Sequence, residues 1–289
     1  MALLLETVKR VFKSVGFVAR YDKNQALRLT KELAEYLRHE GVEVYVEDTL
    51  AGKVDFPAKT VSLENMKTDF IITIGGDGTI LRGTLALPQP EPPILAINMG
   101  VRGFLTEVEP KGARVAVERV LKDDFRIEKC PKLAVSTHGQ KMPDALNDIV
   151  VSAGEPSKIL YAQIYKDDEP ILKCQADGLI ACTQTGSTGY SLSAGGPVLD
   201  PKVSAFVLTP ICSLTVFRSL VFSAESKVTI EAIRPKEMLV LIDGNYRQLL
   251  DAKNPVLTIT RSKNVTSFIR FGEDFYLRLR SRLLFKGMG

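Results

Sequence analysis

The stretch Phe70-Ile71-Ile72-Thr73-Ile74-Gly75-Gly76-Asp77-Gly78-Thr79 is an apolar run that empties into a glycine turn, and Ile80, Leu81 and Arg82 continue it with helical character. Ligands of open α/β sheets gather at such carboxyl ends of strands. Glycines let the backbone come close to a phosphate, and the N–H groups that open the next helix supply donors and a positive dipole end. Gly75, Gly76, Gly78 and Thr79 are therefore phosphate-binding candidates. Asp77 would stand at the rim, placed to accept a proton from an attacking hydroxyl or to help position a metal. From the glycines alone, a tight turn in which Asp77 makes an Asx-type hydrogen bond reads equally well. A Rossmann Gly-x-Gly-x-x-Gly starting at Gly76 would need glycine where Leu81 stands, and no Gly-x-x-x-x-Gly-Lys-Ser/Thr occurs, so neither a dehydrogenase fingerprint nor a Walker loop is present.

Working outward, Val15 to Ala19 reads as a buried strand. It is followed by a helix over Asn24 to Glu40, with Ala26, Leu29, Leu33, Tyr36 and Leu37 at helical spacing and Gly41 as its stop. Val42 to Val46, Phe70 to Ile74 and Ile94 to Ile97 are further strands, and Gly112 to Leu121 a further helix. Such alternation predicts a Rossmann-like α/β domain with a parallel sheet. Beyond it come short β-rich runs broken by Gly, Pro, Asn and Asp: Lys132 to Ser136, Asp148 to Ser152, Ile159 to Tyr165, Gly178 to Thr183, Val228 to Ala232, Met238 to Ile242 and Val256 to Thr260. They predict an all-β, sandwich-like second domain. The expected boundaries are 1–122 for the α/β domain, 123–270 for the β domain and 271–289 for a C-terminal segment. That segment places Arg278, Arg280, Arg282 and Lys286 among Leu279, Leu283, Leu284 and Phe285, the pattern of an amphipathic segment packed on the fold with a solvated basic face.

A chain of 289 residues is long enough for two cores, because single cores stop growing at about 250 to 300 residues. Its 38 basic residues against 34 acidic ones are too balanced for a nucleic-acid stripe, though mildly attractive to anionic substrates. Cys130, Cys174, Cys182 and Cys212 are widely spaced, and the two histidines, His39 and His138, read as surface residues. No metal cluster can be written from them. Cys212 lies in an apolar stretch and is expected to be a buried thiol. The N-terminal apolar run is too short for a signal peptide, and no run approaches the roughly 18 apolar residues of a membrane span. The expectation is a cytoplasmic protein with neither nucleic-acid nor membrane partners.

A second informative stretch begins at Asp177-Gly178-Leu179-Ile180 and continues through Thr183 to Thr185-Gly186-Ser187-Thr188-Gly189-Tyr190-Ser191-Leu192-Ser193-Ala194-Gly195-Gly196-Pro197. It is a strand running into a loop dense in hydroxyls and glycines, suited to sugar and phosphate oxygens. Gly75 to Thr79 resembles the Gly-Gly-Asp-Gly-Thr element shared by NAD kinases, diacylglycerol kinases, sphingosine kinases and, more distantly, phosphofructokinases. The second stretch resembles NAD kinases specifically. Asn98-Met99-Gly100 with Gly103-Phe104-Leu105, Leu146-Asn147-Asp148 and Asp243-Gly244-Asn245 resemble further elements of that family.

The resemblance implies an N-terminal α/β domain and a C-terminal β domain, with NAD in the cleft between them and the C-terminal tail returning to the first. It implies Asp77 as the general base at the adenosine ribose 2′-hydroxyl, with Gly78 beside it. Asn147 and Asp148 would contact ribose and adenine, and Asp177 the nicotinamide end. Thr188, Tyr190 and Ser193 would line the dinucleotide, with Arg82 and Asn245 as weaker matches. It further implies ATP or polyphosphate as donor, Mg²⁺ or another divalent cation, NADP as product, and a homodimer or homotetramer. The chain departs from the family at Asp148, where Glu is commoner, at Gln184 for Pro, at Gly189 for Ala and at Gln175 for Arg. It also lacks the Pro-His pair after Cys212.

Overall fold

Two structural units follow from the two textures of the sequence. The computed structural model describes residues 12–53, 58–100, 103–155, 157–250, 255–272 and 275–283, with backbone alone at 281–283. The first unit runs to Glu128 and resumes at Ser267, and the second spans Lys129–Thr266. The division thus falls a few residues after 122, because the chain leaves the first unit along a strand that begins at Arg126.

The first unit contains β1 (Ser14–Ala19), α1 (Asn24–His39), β2 (Glu43–Glu47), β3 (Lys59–Val61), β4 (Phe70–Gly75), α2 (Asp77–Ala86), β5 (Ile94–Asn98) and α3 (Ala113–Leu121). Its strands pair in parallel in the order β5-β4-β1-β2-β3. All six residues of β4 and all five of β5 are buried, as strands covered on both faces must be. On α1 the buried residues Ala26, Leu27, Thr30, Leu33, Ala34 and Leu37 recur at three- and four-residue spacing and face the sheet. Leu33 and Leu37 are completely buried, each worth roughly 1.5–3 kcal/mol. Gly41, at φ 76°, ends α1, with Gly41 N–H donating to Arg38 O and Val42 N–H to Leu37 O, the paired bonds of a Schellman cap.

From β1 the chain builds outward through β2 and β3, then returns to place β4 on the other side of β1. Strand order reverses there, and the carboxyl end of β4 opens at such a switch point. The glycine turn therefore sits where an open parallel sheet offers a crevice.

The second unit is built from antiparallel sheets. Its strands are β6 (Arg126–Thr137), β7 (Gln140–Lys141), β8 (Asp148–Ala153), β9 (Leu160–Lys166), β10 (Glu169–Ala176), β11 (Gly178–Cys182), β12 (Ala205–Ile211), β13 (Leu220–Ser223), β14 (Val228–Arg234), β15 (Met238–Ile242), β16 (Tyr246–Leu250) and β17 (Val256–Arg270). One sheet runs β13-β12-β11-β8-β15-β16 and the other includes β10-β9-β14-β17. The short helix α4 (Tyr190–Ser193) lies in the hydroxyl-rich loop after β11. β17, expected to end at Thr260, continues to Arg270, and its last residues belong to the first unit, where Phe268 pairs with Ile94. They are followed by α5 (Phe275–Leu283).

Two expectations need correction. Arg278 is not on a solvated face: it is 4% exposed and lies among Glu107, Glu128 and Arg270 of the first unit. Lys286 and the Arg282 side chain lie outside the described residues. Cys212 is exposed, at φ 47° in the turn after β12, where the apolar strand has already ended. Cys130, Cys174 and Cys182 are buried, and burial pushes the last two thiols up to about 11.

Candidate active site

In the first unit, Gly76 precedes α2 in an extended conformation, and Asp77 opens the helix. Thr79 folds back under the strand end so closely that a Cβ on Gly75 would lie 2.1 Å from its Oγ1, which makes Gly75 a packing requirement. Gly76 and Gly78 are different, since a Cβ there would meet open space. Among the described residues, no neighbour demands glycine at these two positions. What their bareness exposes is backbone at a helix N-terminus, the donor arrangement that phosphates use.

The Asp77 carboxylate accepts two backbone hydrogen bonds, from Phe104 N–H at 2.8 Å and Leu105 N–H at 3.1 Å. Gly103 makes this approach possible: a Cβ there would fall 2.0 Å from Asp77 Oδ1. Two bonds leave further lone pairs on the carboxylate for a substrate hydroxyl. Nearby in sequence, Asn98 donates from Nδ2 to Gly100 O, while its Oδ1 is buried without a hydrogen-bond partner among the described residues. Arg82 is corrected. Its guanidinium is held by fully buried Glu47 at 2.6 and 2.8 Å and donates to Ala19 O. Glu47 also accepts Ala19 N–H, so Arg82 neutralises a buried anion inside the fold rather than reaching for a ligand.

In the second unit, the turn between β15 and β16 puts Asp243 (φ 49°) and Gly244 (φ 67°) in the left-handed region, and Asn245 N–H donates to Ile242 O. This is the turn that Asp-Gly favours between strands. The buried Asp243 carboxylate accepts N–H bonds from Leu146 (2.7 Å), Asn147 (2.7 Å) and Asp148 (3.0 Å). It thereby fixes the backbone of the Asn147-Asp148 pair. Sequence reading missed this role and singled out Asn245 instead, which is exposed and donates to Asp243 O. The Asp-Gly dipeptide between two alternating apolar runs signals the turn, not the service of its carboxylate to residues 146–148.

The other side of the pair is packed by the hydroxyl-rich loop. Thr183 Oγ1 donates to Leu146 O at 2.6 Å, and Thr183 N–H donates to Asn147 O. Gly186 lies so close that a Cβ would be 2.0 Å from Asn147 O. Gly186→Ala is expected to displace Asn147, costing about 1–3 kcal/mol; urea unfolding checks it.

The hydroxyls of this loop divide in two. Thr183, Ser187 and Ser191 are buried and spent internally: Ser187 Oγ donates to Gln184 O and accepts Leu199 N–H, and Ser191 shares a bond with Thr209. Gln184, also buried, donates to Val203 O, a bond that the family's proline could not make. Tyr190 and Ser193 are exposed and remain able to meet a ligand, whereas Thr188 is partly buried and its Oγ1 donates to Thr185 O at 3.1 Å, leaving it only lone pairs to offer. Asp177, just before β11, is also exposed.

Asn147 Oδ1 is buried and has no hydrogen-bond partner among the described residues. Burial first, and the neighbouring Asp243 second, push the Asp148 carboxyl up to about 7. Asp243 is itself raised by burial, but its three N–H donors and Lys132 favour its anion, so Asp148 is the member that holds the proton.

Residues 15–125 match the ATP-NAD kinase N-terminal domain and residues 146–271 the ATP-NAD kinase C-terminal domain. The chain belongs to the NAD kinase family. It is 38% identical over 277 residues to the NAD kinase of Methanothermobacter thermautotrophicus, covering 95% of this chain and 97% of that one. It is also 38% identical over 276 residues to the NAD kinase of Thermococcus kodakarensis, covering 92% and 99%. Among solved structures, an NAD kinase from Archaeoglobus fulgidus in complex with ATP superimposes with a TM-score of 0.77 at 30% identity, covering 93% of this chain and 99% of that one. Yeast NADH kinase complexed with NADH shares the fold, with a TM-score of 0.86 at 24% identity over 96% and 89% of the two chains. As a member of the NAD kinase family the chain is an enzyme, a phosphotransferase whose reaction is phosphoryl transfer from ATP to NAD, giving NADP. No described helix is long and apolar enough to cross a membrane.

Proposed function

We propose that this enzyme phosphorylates the 2′-hydroxyl of the adenosine ribose, with Asp77 as the base that takes the hydroxyl proton. The observation that carries this reading is the placement of one carboxylate at the opening of α2, held by two N–H donors beside the bare backbone of Gly76 and Gly78. As the ribose oxygen bonds to the terminal phosphorus of ATP, the bond to the leaving ADP oxygen breaks and the proton passes to Asp77. The backbone of Gly75, Gly76, Gly78 and Thr79 holds phosphate oxygens, and orientation of the hydroxyl supplies much of the rest of the rate.

Asn147 and Asp148 orient the acceptor: the Asn147 Oδ1 takes a hydrogen bond, and a protonated Asp148 can give one. Asp177, Thr188, Tyr190, Ser193 and Asn245 contact the remainder of the dinucleotide. Among the described residues no group of three His, Cys, Asp or Glu side chains lies together, so a divalent cation such as Mg²⁺ would be carried by the donor's phosphates rather than a protein cage, neutralising their charge. The reading extends to a cytoplasmic homodimer or homotetramer, with no nucleic-acid or membrane partner.

The test is an incubation of the protein with Mg²⁺ and NAD, with ATP and with polyphosphate in separate arms. NADP is read with a strictly NADP-dependent dehydrogenase and the phosphate position by ³¹P NMR. NADP carrying a 2′-phosphate is expected with ATP, and no phosphorylation of diacylglycerol, sphingosine or fructose 6-phosphate, since sites built around hydrogen-bonding groups discriminate by roughly 10⁴ in favourable cases. A phosphate on the nicotinamide ribose would overturn the assignment of the hydroxyl.

A further inference from the structure

Asp77 is gripped by the backbone of residues 104 and 105, and that backbone is in turn gripped from its other side. The Arg270 guanidinium donates from Nη1 to Leu105 O at 2.8 Å, while the Leu105 N–H donates to Asp77 Oδ1. Arg270 is 2% exposed and stands at the end of β17, more than 160 residues after the segment it holds. Its remaining donors reach Glu128 at 2.6 Å and Glu107 at 3.2 Å. Glu107 accepts Phe271 N–H at 2.8 Å, and Arg278 of α5 lies 3.5 Å from Glu107 and 3.4 Å from Glu128. Two cations and two anions thus form one cluster, and one member, Arg270, donates to the main-chain carbonyl of the residue whose N–H holds Asp77. Burying an arginine this completely is costly, and breaking such a cluster leaves charges unpaired. A simple apolar contact would have anchored the C-terminal segment without that cost. What the guanidinium adds is a directed bond to the Leu105 carbonyl.

We infer that Arg270 is a positioning residue for the phosphoryl transfer: it fixes residues 103–105 so that two N–H groups hold the Asp77 carboxylate in its working orientation. The inference rests on the reading of Asp77 as the base. A carboxylate freed from those donors can turn about its side-chain bonds, and a misplacement near 1 Å is enough to cost on the order of 10² in rate. Gly103 belongs to the same device, because its missing Cβ leaves room for the carboxylate.

Arg270→Lys keeps a cation for Glu107 and Glu128 but loses the planar fork that serves the carbonyl and both carboxylates together. It is expected to lower kcat by about 10- to 100-fold while KM for NAD stays within about twofold. Gly103→Ala, which disturbs the same grip without touching the ion cluster, is expected to do likewise. The double variant should lose little more than the worse single one, since both act through one loop. If Arg270→Lys does not fold, the pair Arg270→Gln with Glu107→Gln, which preserves the net charge of the cluster, carries the same expectation. Full kcat in any folded variant at position 270, or losses that multiply in the cycle, would overturn the inference. Asp77→Asn is run alongside: if it keeps wild-type kcat, the reading of Asp77 as base has failed, whereas its loss together with an active Arg270→Lys fells only the positioning role.

Discussion

Asp77→Asn is expected to lower kcat for NADP formation by roughly 10²- to 10⁴-fold, the range that a general base contributes, with NAD affinity within a few-fold. The amide can keep one oxygen for a backbone donor of residues 104–105, so the turn and the start of α2 should survive. What it loses is the ability to accept the hydroxyl proton. Parallel losses in kcat and kcat/KM would place the missing interaction in the transition state. Wild-type turnover would instead make Asp77 a plain cap for the Gly103–Leu105 segment. Circular dichroism and NAD binding on the same preparations separate chemistry from unfolding.

The second large effect concerns Asp148, and it runs in opposite directions for stability and function. With its carboxyl raised from 3.8 to about 7 by burial and by Asp243, the folded chain keeps a proton that the unfolded chain has already released. Between about pH 4 and pH 7 the folded state binds more protons, so stability falls as pH rises through that window. Asp148→Asn removes the titration. It is therefore expected to be more stable than wild type at pH 8, by up to about 4 kcal/mol for a shift of about three units, with the gap closing towards pH 4. Urea midpoints at pH 5 and pH 8 measure it. A variant less stable than wild type at pH 8 would mean that the carboxylate has a partner stronger than its burial. Meanwhile Asp148→Ala should raise KM for NAD by about two- to tenfold, a hydrogen bond from a neutral carboxyl being worth about 0.5–1.5 kcal/mol. A residue that costs stability while serving ligand binding is the trade-off expected of a functional site.

Much of this was legible in the sequence for a physical reason. Buried parallel strands such as β4 are continuous apolar runs, α1 shows its buried stripe at helical spacing, and a glycine turn after a strand advertises an exposed backbone. Asp77 stands out because it is a carboxylate in such a turn, whereas Asn147 and Asp148 are marked only by the family resemblance. Legibility ended where function depends on long-range contacts. Nothing near Asp243 in sequence says that its carboxylate will serve residues 146–148, and nothing near Arg270 points to Leu105. Arg82 is only a weaker match to a family contact, and its partner Glu47 lies 35 residues away, beyond the reach of local sequence patterns. The hydroxyl-rich loop was readable as a loop, but the division between Thr183, Ser187 and Ser191 inside and Tyr190 and Ser193 outside comes only from packing.

The first unit is a discontinuous stretch of chain, interrupted by the whole of the second and resumed at Ser267. On the ribosome, where domains generally fold as units in order of emergence, the first part to be made is thus the last to be finished. Until the final residues appear, Glu107 and Glu128 have no arginine from β17 or α5 to bury against and stay hydrated, and the β5 edge lacks the segment around Phe268. A nascent or prematurely terminated chain can complete its antiparallel sheets and still lack the cation that steadies Leu105. The surroundings of Asp77 are then complete only once the segment carrying Arg270 has been made, long after the glycine turn itself.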